Sequence, residues 1–186
     1  MKKLSLQPLS SLDHLVGPDE FYEINMESPA TEVMMNFKHE RPHIIDDNVS
    51  AIEAYRVMKK THTTVALVTN QTLEFIGLIN AQILTERSII RLVANGASRD
   101  EIGVDEVMLP RNSIKAIAIG DVGAAKVKDI VQVLKEAGEG YCLVVDEDKH
   151  SICGLFDISE IGRRLHATIR VSRKKTFADL VAAVSH

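Results

Sequence analysis

Two stretches of this sequence, about 75 residues apart, repeat one pattern, and this duplication restricts the fold more than any other feature. The first stretch begins with Glu32-Val33-Met34 and ends with Gly77-Leu78-Ile79. The second begins with Glu106-Val107-Met108 and ends with Gly154-Leu155-Phe156. A period longer than that of a solenoid repeat indicates a duplicated small unit with a cleft between its two copies.

Both copies predict the same order of elements: a strand, a helix, two strands and a second helix. Apolar residues at i, i+3, i+4 and i+7 indicate the first helix of each copy. These residues are Ala51, Ala54, Tyr55 and Met58 in the first copy and Val127, Ile130, Val131 and Leu134 in the second. The predicted strands are 44–45, 65–68, 75–79, 116–119, 141–145 and 152–156, and the predicted final helices are 81–95 and 158–166. Because a unit of about 60 residues cannot bury such helix faces alone, the copies should pack together in an α+β fold.

Composition excludes several classes of protein. With 186 residues, 45% of them hydrophobic, the chain can bury a core. The net charge of −4 argues against non-specific nucleic-acid binding. Uninterrupted apolar runs reach only about five residues, far below the roughly 20 that span a bilayer. The chain is therefore expected in the cytoplasm, where Cys142 and Cys153 would remain reduced thiols in strands of the second copy.

The sequence carries no signature of catalysis or of a metal site. It contains no glycine-rich phosphate loop and no nucleophile elbow. His39 and His43 have the i, i+4 spacing of helical metal ligands, but Pro42 between them disfavours a helix. We therefore expect neither an enzyme nor a metalloprotein.

The repeated Glu-Val-Met leader, the order of elements and the Gly-apolar-apolar-polar-x-x-acid ending resemble a pair of CBS domains, the Bateman module. The resemblance covers about residues 28–167. It implies a first CBS repeat at 28–95 and a second at 104–167. The residues outside this range are interpreted as an N-terminal arm at 1–27 and a C-terminal tail at 168–186. The resemblance further implies a regulatory module that binds AMP, ADP, ATP or S-adenosylmethionine between the repeats, requires no cofactor and forms a homodimer.

The second copy carries the stronger implied ligand site. The resemblance places a ribose-binding acid at Glu160 and the phosphate-facing position at Asp157. A capping box is an alternative, compatible role for this pair. The remaining implied contacts precede the first strand and begin the second: Ile114, Lys115, Gly140, Tyr141 and Cys142. Lys115 either balances a phosphate or is solvated, and Tyr141 either stacks on a purine or belongs to the core.

The first copy carries a weaker implied site. Asn80 replaces the hydroxyl residue of the family pattern, and Ile83 replaces the ribose acid. Asn80 can still cap the following helix. Thr64 and Val65, at the start of the second strand, are the other candidates in this copy. Any nucleoside is therefore expected to use the acid of the second copy.

Three readings of function remain after these observations. The first is an adenosine-ligand sensor that acts on an unknown partner protein. The second is a module that has lost its ligand and serves for dimerisation or docking. The third is nucleic-acid binding through a basic run near the C-terminus, for which a solvated face is the alternative. The run comprises Arg163, Arg164, Arg170, Arg173, Lys174 and Lys175. The expected dimer faces carry Ile83, Leu84, Ile89, Ile90, Val93, Ile161 and Leu165.

Overall fold

The computed structural model describes residues 23–81, 84–85 and 102–171. Its strands are β1 (Met35–Asn36), β2 (Ile44–Asp46), β3 (Val65–Thr69), β4 (Phe75–Asn80), β5 (Leu109–Pro110), β6 (Ala116–Ala118), β7 (Tyr141–Asp146) and β8 (Ser151–Asp157). Its helices are α1 (Ala51–Thr61), α2 (Val104–Val107), α3 (Ile119–Val122), α4 (Val127–Ala137) and α5 (Ile158–Arg164), with short 3-10 turns at Ala30–Glu32 and Arg111–Ser113. The helix predicted at 81–95, most of the predicted arm and most of the tail lie outside the described residues.

The long helix of each copy forms as the apolar spacing predicts. In α4 all four residues of the predicted stripe are buried. In α1 the stripe residues Ala51, Ala54 and Met58 are buried, and Tyr55 packs at the edge of the same core. Each helix ends in a left-handed residue, His62 with φ 54° and Gly138 with φ 70°. A left-handed residue at this point is a common helix stop, and glycine adopts it without steric cost.

Two four-stranded sheets form, and each contains a strand from the other copy. The sheet orders are β2-β3-β4-β5 and β6-β7-β8-β1. In each sheet the first two strands are parallel and the remaining pairs are antiparallel. The strands β1 and β5, which we call the leader strands, directly follow the two Glu-Val-Met motifs. Strand β1 pairs with β8, and β5 pairs with β4. The copies therefore exchange their leader strands.

A glycine of each sheet admits the leader methionine of the other copy. A Cβ atom at Gly77 would lie 2.5 Å from the sulfur of Met108 and 2.6 Å from the carbonyl oxygen of Leu109. A Cβ atom at Gly154 would lie 3.0 Å from the sulfur of Met34. The repeated Glu-Val-Met and Gly-apolar-apolar motifs therefore meet across the copies, which gives both motifs a packing role.

Three apolar clusters form the core. One lies between helices and sheet in each copy. The third, which we call the inter-copy cluster, joins the two sheets, and its buried members are Val65, Leu67, Leu78, Tyr141, Leu143 and Leu155. All five residues of β3 are buried because alternate side chains face the helices and the other copy. The two copies thus form one continuous packed body.

The leader exchange predicts unequal costs for alanine at the repeated glycines. Gly77→Ala should lower the free energy of unfolding by about 1–3 kcal/mol, because its Cβ meets a backbone carbonyl that cannot turn away. Gly154→Ala should cost less, since its closest contacts are 3.0 Å away. Gly120→Ala is the control: nothing lies within 4 Å of its added Cβ. Urea denaturation measures all three, and equal stability of the Gly77 and Gly120 variants would contradict the contact.

Candidate functional site

Equivalent residues of the two copies meet where their central strands begin. Val65 pairs with Asn80 in one sheet, and Tyr141 pairs with Asp157 in the other. Just outside the first pair, the Ala81 amide donates to the Thr64 carbonyl at 2.9 Å. The Ile158 amide makes the matching bond to Gly140 at 2.8 Å. We call this junction between the copies the seam.

Two adjoining cavities lie along the seam. The main cavity, of about 150 Å³, is lined by Val33, Met35, His43, His62, Thr63, Thr64, Val65, Leu155, Asp157 and Glu160. The small cavity, of about 50 Å³, is lined by Thr64, Val65, Asn80, Ala81, Gly140, Tyr141, Asp157 and Ser159. Thr64, Val65 and Asp157 border both. The acids of the second copy therefore face the strand start of the first copy.

Asp157 is a buried carboxylate with partners on both of its oxygens. Its side chain is 9% exposed. Oδ1 accepts a hydrogen bond from the Ser159 amide at 2.8 Å, which caps α5. Oδ2 accepts a hydrogen bond from the Thr64 hydroxyl of the other copy. A buried carboxylate needs such donors to offset its lost hydration.

Glu160 pairs with two arginines of its own helix. Arg163 donates to both carboxylate oxygens, at 2.6 and 2.9 Å, and Arg164 donates from Nε at 2.9 Å. The hydrogen bonds from Arg163 lower the pKa of the Glu160 carboxyl, partial burial opposes this, and the hydrogen bond from Arg164 lowers the pKa further. Arg164 also donates to the carbonyl of Glu32, at 2.7 Å. These ion pairs take the place of the reciprocal contact that a capping box would make, and Arg164 joins the acid-bearing helix to the first leader.

Three of the residues predicted for this site belong to neither cavity lining. Lys115 Nζ lies 3.9 Å from Glu139, and its side chain is 63% exposed. Ile114 packs against the edge of the inter-copy cluster. Cys142 lies in the core of the second copy, where burial raises the pKa of its thiol to about 12. Cys142 alternates with Tyr141 and Leu143 along β7, so its side chain faces the helices.

The other predicted residues come together at the seam. Tyr141 is 8% exposed and lies in the inter-copy cluster, so it is a core residue that also borders the small cavity. Asn80 is 7% exposed, and its carbonyl accepts a hydrogen bond from the Leu84 amide at 2.9 Å, as at the start of a helix. Thr64, Val65, Gly140, Asp157 and Glu160 complete this set.

Sequence reasoning missed the two histidines of the main cavity. The carbonyl of His43 accepts from the Leu67 amide, just as that of Lys115 accepts from Leu143. His43 therefore occupies in the first copy the position of Lys115 in the second, and the internal repeat contained this signal. His62 is the left-handed C-cap of α1 and corresponds to Gly138 of the second copy. Because the equivalent residue is a glycine, the repeat did not indicate that His62 lines the cavity.

Neither a metal-binding group of side chains nor a membrane-spanning helix is found among the described residues. No group of three or more histidine, cysteine or acidic side chains there is arranged to hold a metal ion. Likewise, none of the helices found within residues 23–81, 84–85 and 102–171 is long and apolar enough to cross a bilayer.

Comparison with known proteins identifies the fold. No family model matches the sequence, and no curated protein matches it either. Among solved structures, an uncharacterized conserved protein from Pyrococcus horikoshii is 17% identical with a TM-score of 0.57, over 80% of this chain and 100% of that one. A conserved CBS domain protein of unknown function from Thermoplasma acidophilum is 20% identical with a TM-score of 0.50, over 81% of this chain and 75% of that one.

A third similar structure is CBSX2, a CBS-pair protein from Arabidopsis thaliana, in complex with AMP. It is 16% identical with a TM-score of 0.51, over 73% of this chain and 94% of that one. This chain has the fold of a CBS-domain pair. The predicted α+β class and the resemblance to a tandem CBS module are therefore confirmed, and the exchanged leader strands hold the two repeats of the pair together.

The ion pairs of Glu160 predict a pH-dependent contribution to the stability of the fold. Since the folded pKa of Glu160 is lowered from 4.5, its stabilisation is complete above that value and is lost as the pH falls through the folded pKa. Glu160→Gln should therefore cost about 0.5–1 kcal/mol at pH 7 and progressively less as the pH falls through the folded pKa. Denaturation curves across this range measure the difference. Glu139→Gln, whose partner Lys115 is 3.9 Å away and exposed, should match wild type throughout.

Proposed function

We propose that this CBS pair is a regulatory module that binds an adenosine-containing ligand at the seam and passes the signal to a partner protein. The supporting observation is the main cavity, where Glu160 and Asp157 of the second copy face Thr64 and Val65 of the first. A CBS-pair protein of the same fold, CBSX2, was solved with AMP. In this proposal the protein acts by binding in the cytoplasm and catalyses no reaction.

Glu160 is the proposed ribose contact. Its two carboxylate oxygens offer about four lone-pair sites. Three hydrogen bonds from Arg163 and Arg164 occupy part of this capacity. Arg163 is 73% exposed and is the partner that a ligand can displace into solvent at little cost. The two ribose hydroxyls would then donate to a carboxylate that remains ionised through Arg164.

Asp157 makes the proposed site selective for ligands of low negative charge. Two like charges about 5 Å apart repel by roughly 3 kcal/mol at an effective dielectric near 20. Lys115, a candidate counter-charge, pairs with Glu139 instead of lining the cavity. Adenosine or S-adenosylmethionine should therefore bind more tightly than ATP.

A ligand-free module for dimerisation or docking is the second candidate function. Two observations favour it. The carboxylates of Asp157 and Glu160 already have intramolecular donors. The main cavity, at about 150 Å³, is also smaller than the roughly 300 Å³ at which ligand sites begin. Thermal shift separates the two functions, because a ligand at 100 times its dissociation constant adds about 2.7 kcal/mol of stability.

Nucleic-acid binding has less support. Arg163 and Arg164 are both paired with Glu160, whose single negative charge offsets one of their two positive charges. Arg173, Lys174 and Lys175 lie outside the described residues. A steep salt dependence of oligonucleotide binding would reveal this activity. The regulated protein is best sought with the whole chain as bait, in the presence and absence of the adenosine ligand.

Two substitutions test the proposed contacts. Glu160→Ala should weaken binding of adenosine or S-adenosylmethionine at least tenfold, since a charge-assisted hydrogen bond contributes about 1.5–3 kcal/mol. Asp157→Thr should strengthen binding of AMP and ATP, because it removes the repelling charge. Titration calorimetry measures both effects, with Glu139→Gln as a surface control. Wild-type affinity in Glu160→Ala, together with loss of binding in Asn80→Ala, would assign the ligand to the acid-free turn of the first copy.

The resemblance also leads us to propose a homodimer. Two residues expected on its faces, Ile161 and Leu165, pack into the core of their own copy, and Leu84 is 2% exposed. The remaining residues of the expected faces lie outside the described ranges.

Sedimentation at micromolar concentration should give twice the 20.6 kDa mass of the chain. A single species of 20.6 kDa would refute the dimer and would leave the proposed ligand site unaffected.

A further inference from the structure

Thr64 lies at the junction of three cavities. It borders the main and small cavities and also an outer cavity of about 320 Å³ beside α1. The described lining of the outer cavity is Tyr55, Met58, Lys59, His62, Thr63, Thr64, Ala81 and Leu84. His62, Thr63 and Thr64 are shared with the main cavity. Among the described lining residues, Thr64 is common to all three cavities.

The hydrogen bond from Thr64 to Asp157 closes the wall between the two seam cavities. Both residues border both cavities. The main cavity, at about 150 Å³, is below the roughly 300 Å³ at which ligand sites begin, so a nucleoside-sized ligand that contacts Glu160 has to extend into a neighbouring cavity. Extension into the small cavity must pass this hydrogen bond.

The two partners differ in their freedom to move. Asp157 is 9% exposed and is fixed by the Ser159 amide. Thr64 is exposed, although Thr63 and Val65 beside it are buried. Rotation of the Thr64 side chain to another staggered rotamer therefore disturbs no core contact. Rotation would also release Oδ2 of Asp157, which could then accept a hydrogen bond from a ligand hydroxyl or amine.

We propose that Thr64 and Asp157 form a latch between the two copies, and that the latch must open before a nucleoside-sized ligand occupies the seam. This inference rests on the proposed function and adds its regulation. The closed latch lowers the apparent affinity by the fraction of molecules in which it is open. A change that removes the Thr64 hydroxyl and preserves the shape of the side chain should therefore increase affinity.

The test compares three variants by titration calorimetry, with adenosine, AMP and S-adenosylmethionine as separate probes. Thr64→Val removes the hydroxyl and should bind its best probe about tenfold more tightly than wild type, given the strength of a hydrogen bond to a charged group. Thr64→Ser keeps the hydroxyl and should resemble wild type. Thr72→Val is the matched control, because Thr72 is exposed, its hydroxyl donates to Asn70 Oδ1 at 2.7 Å, and it lines none of the three cavities.

Unchanged or weaker binding in Thr64→Val would overturn the latch and leave the proposed function standing. If no probe binds any variant, the proposed function fails, and hydrogen exchange decides the latch by itself. The reporters are the amides of Ser159 and Ala81, which border the small cavity, with amides of α4 as the internal reference. Faster exchange at the seam alone in Thr64→Val, compared with Thr72→Val, supports the latch, and equal exchange overturns it.

Discussion

The exchange of leader strands is the constraint on which the rest of the structure depends. Without β5 the first sheet would end at β4, and without β1 the second would end at β8. An uncovered strand edge exposes unpaired backbone donors and acceptors, so each copy needs the other to complete its hydrogen bonding. The close approach of Met108 to Gly77 and of Met34 to Gly154 fixes the position of each exchanged strand.

This exchange also determines which residues share a cavity. Because the leaders cross, the central strands of the copies face one another through the inter-copy cluster. The acid-bearing turn after β8 is thereby brought against the start of β3. Burial of Asp157 beside the inter-copy cluster lowers the local dielectric, which strengthens its hydrogen bonds. The exchange of leader strands thus determines both the packing between the copies and the residues that line the cavity.

The sequence predicted the elements well and the composition of the site only in part. Helical and strand periodicities are local, so the stripe of α4 and the buried strands β3 and β7 followed directly from residue types. Which residues of the two copies face each other depends on contacts between distant parts of the sequence, and local periodicity does not predict these contacts. Glu160 was grouped with Lys115 and Cys142 of its own repeat, whereas the fold sets it opposite Thr64 and His43. Successive side chains of a strand face opposite sides of the sheet, so Tyr141 and Cys142 cannot both line the same cavity. Tyr141 faces the inter-copy cluster, and Cys142 faces the helices.

The pairing of β1 with β8 has a consequence for how the chain is made. Met35 pairs with Leu155, a partner 120 residues later in the sequence. Ribosomes add about 5–20 residues per second, so the leader strand waits roughly 6–24 s before its partner exists. The sheet of the first copy, which needs nothing beyond Pro110, can close during that interval. Biosynthesis therefore imposes an order: the sheet β2-β3-β4-β5 can form before β8, the partner of the leader strand β1, has been made.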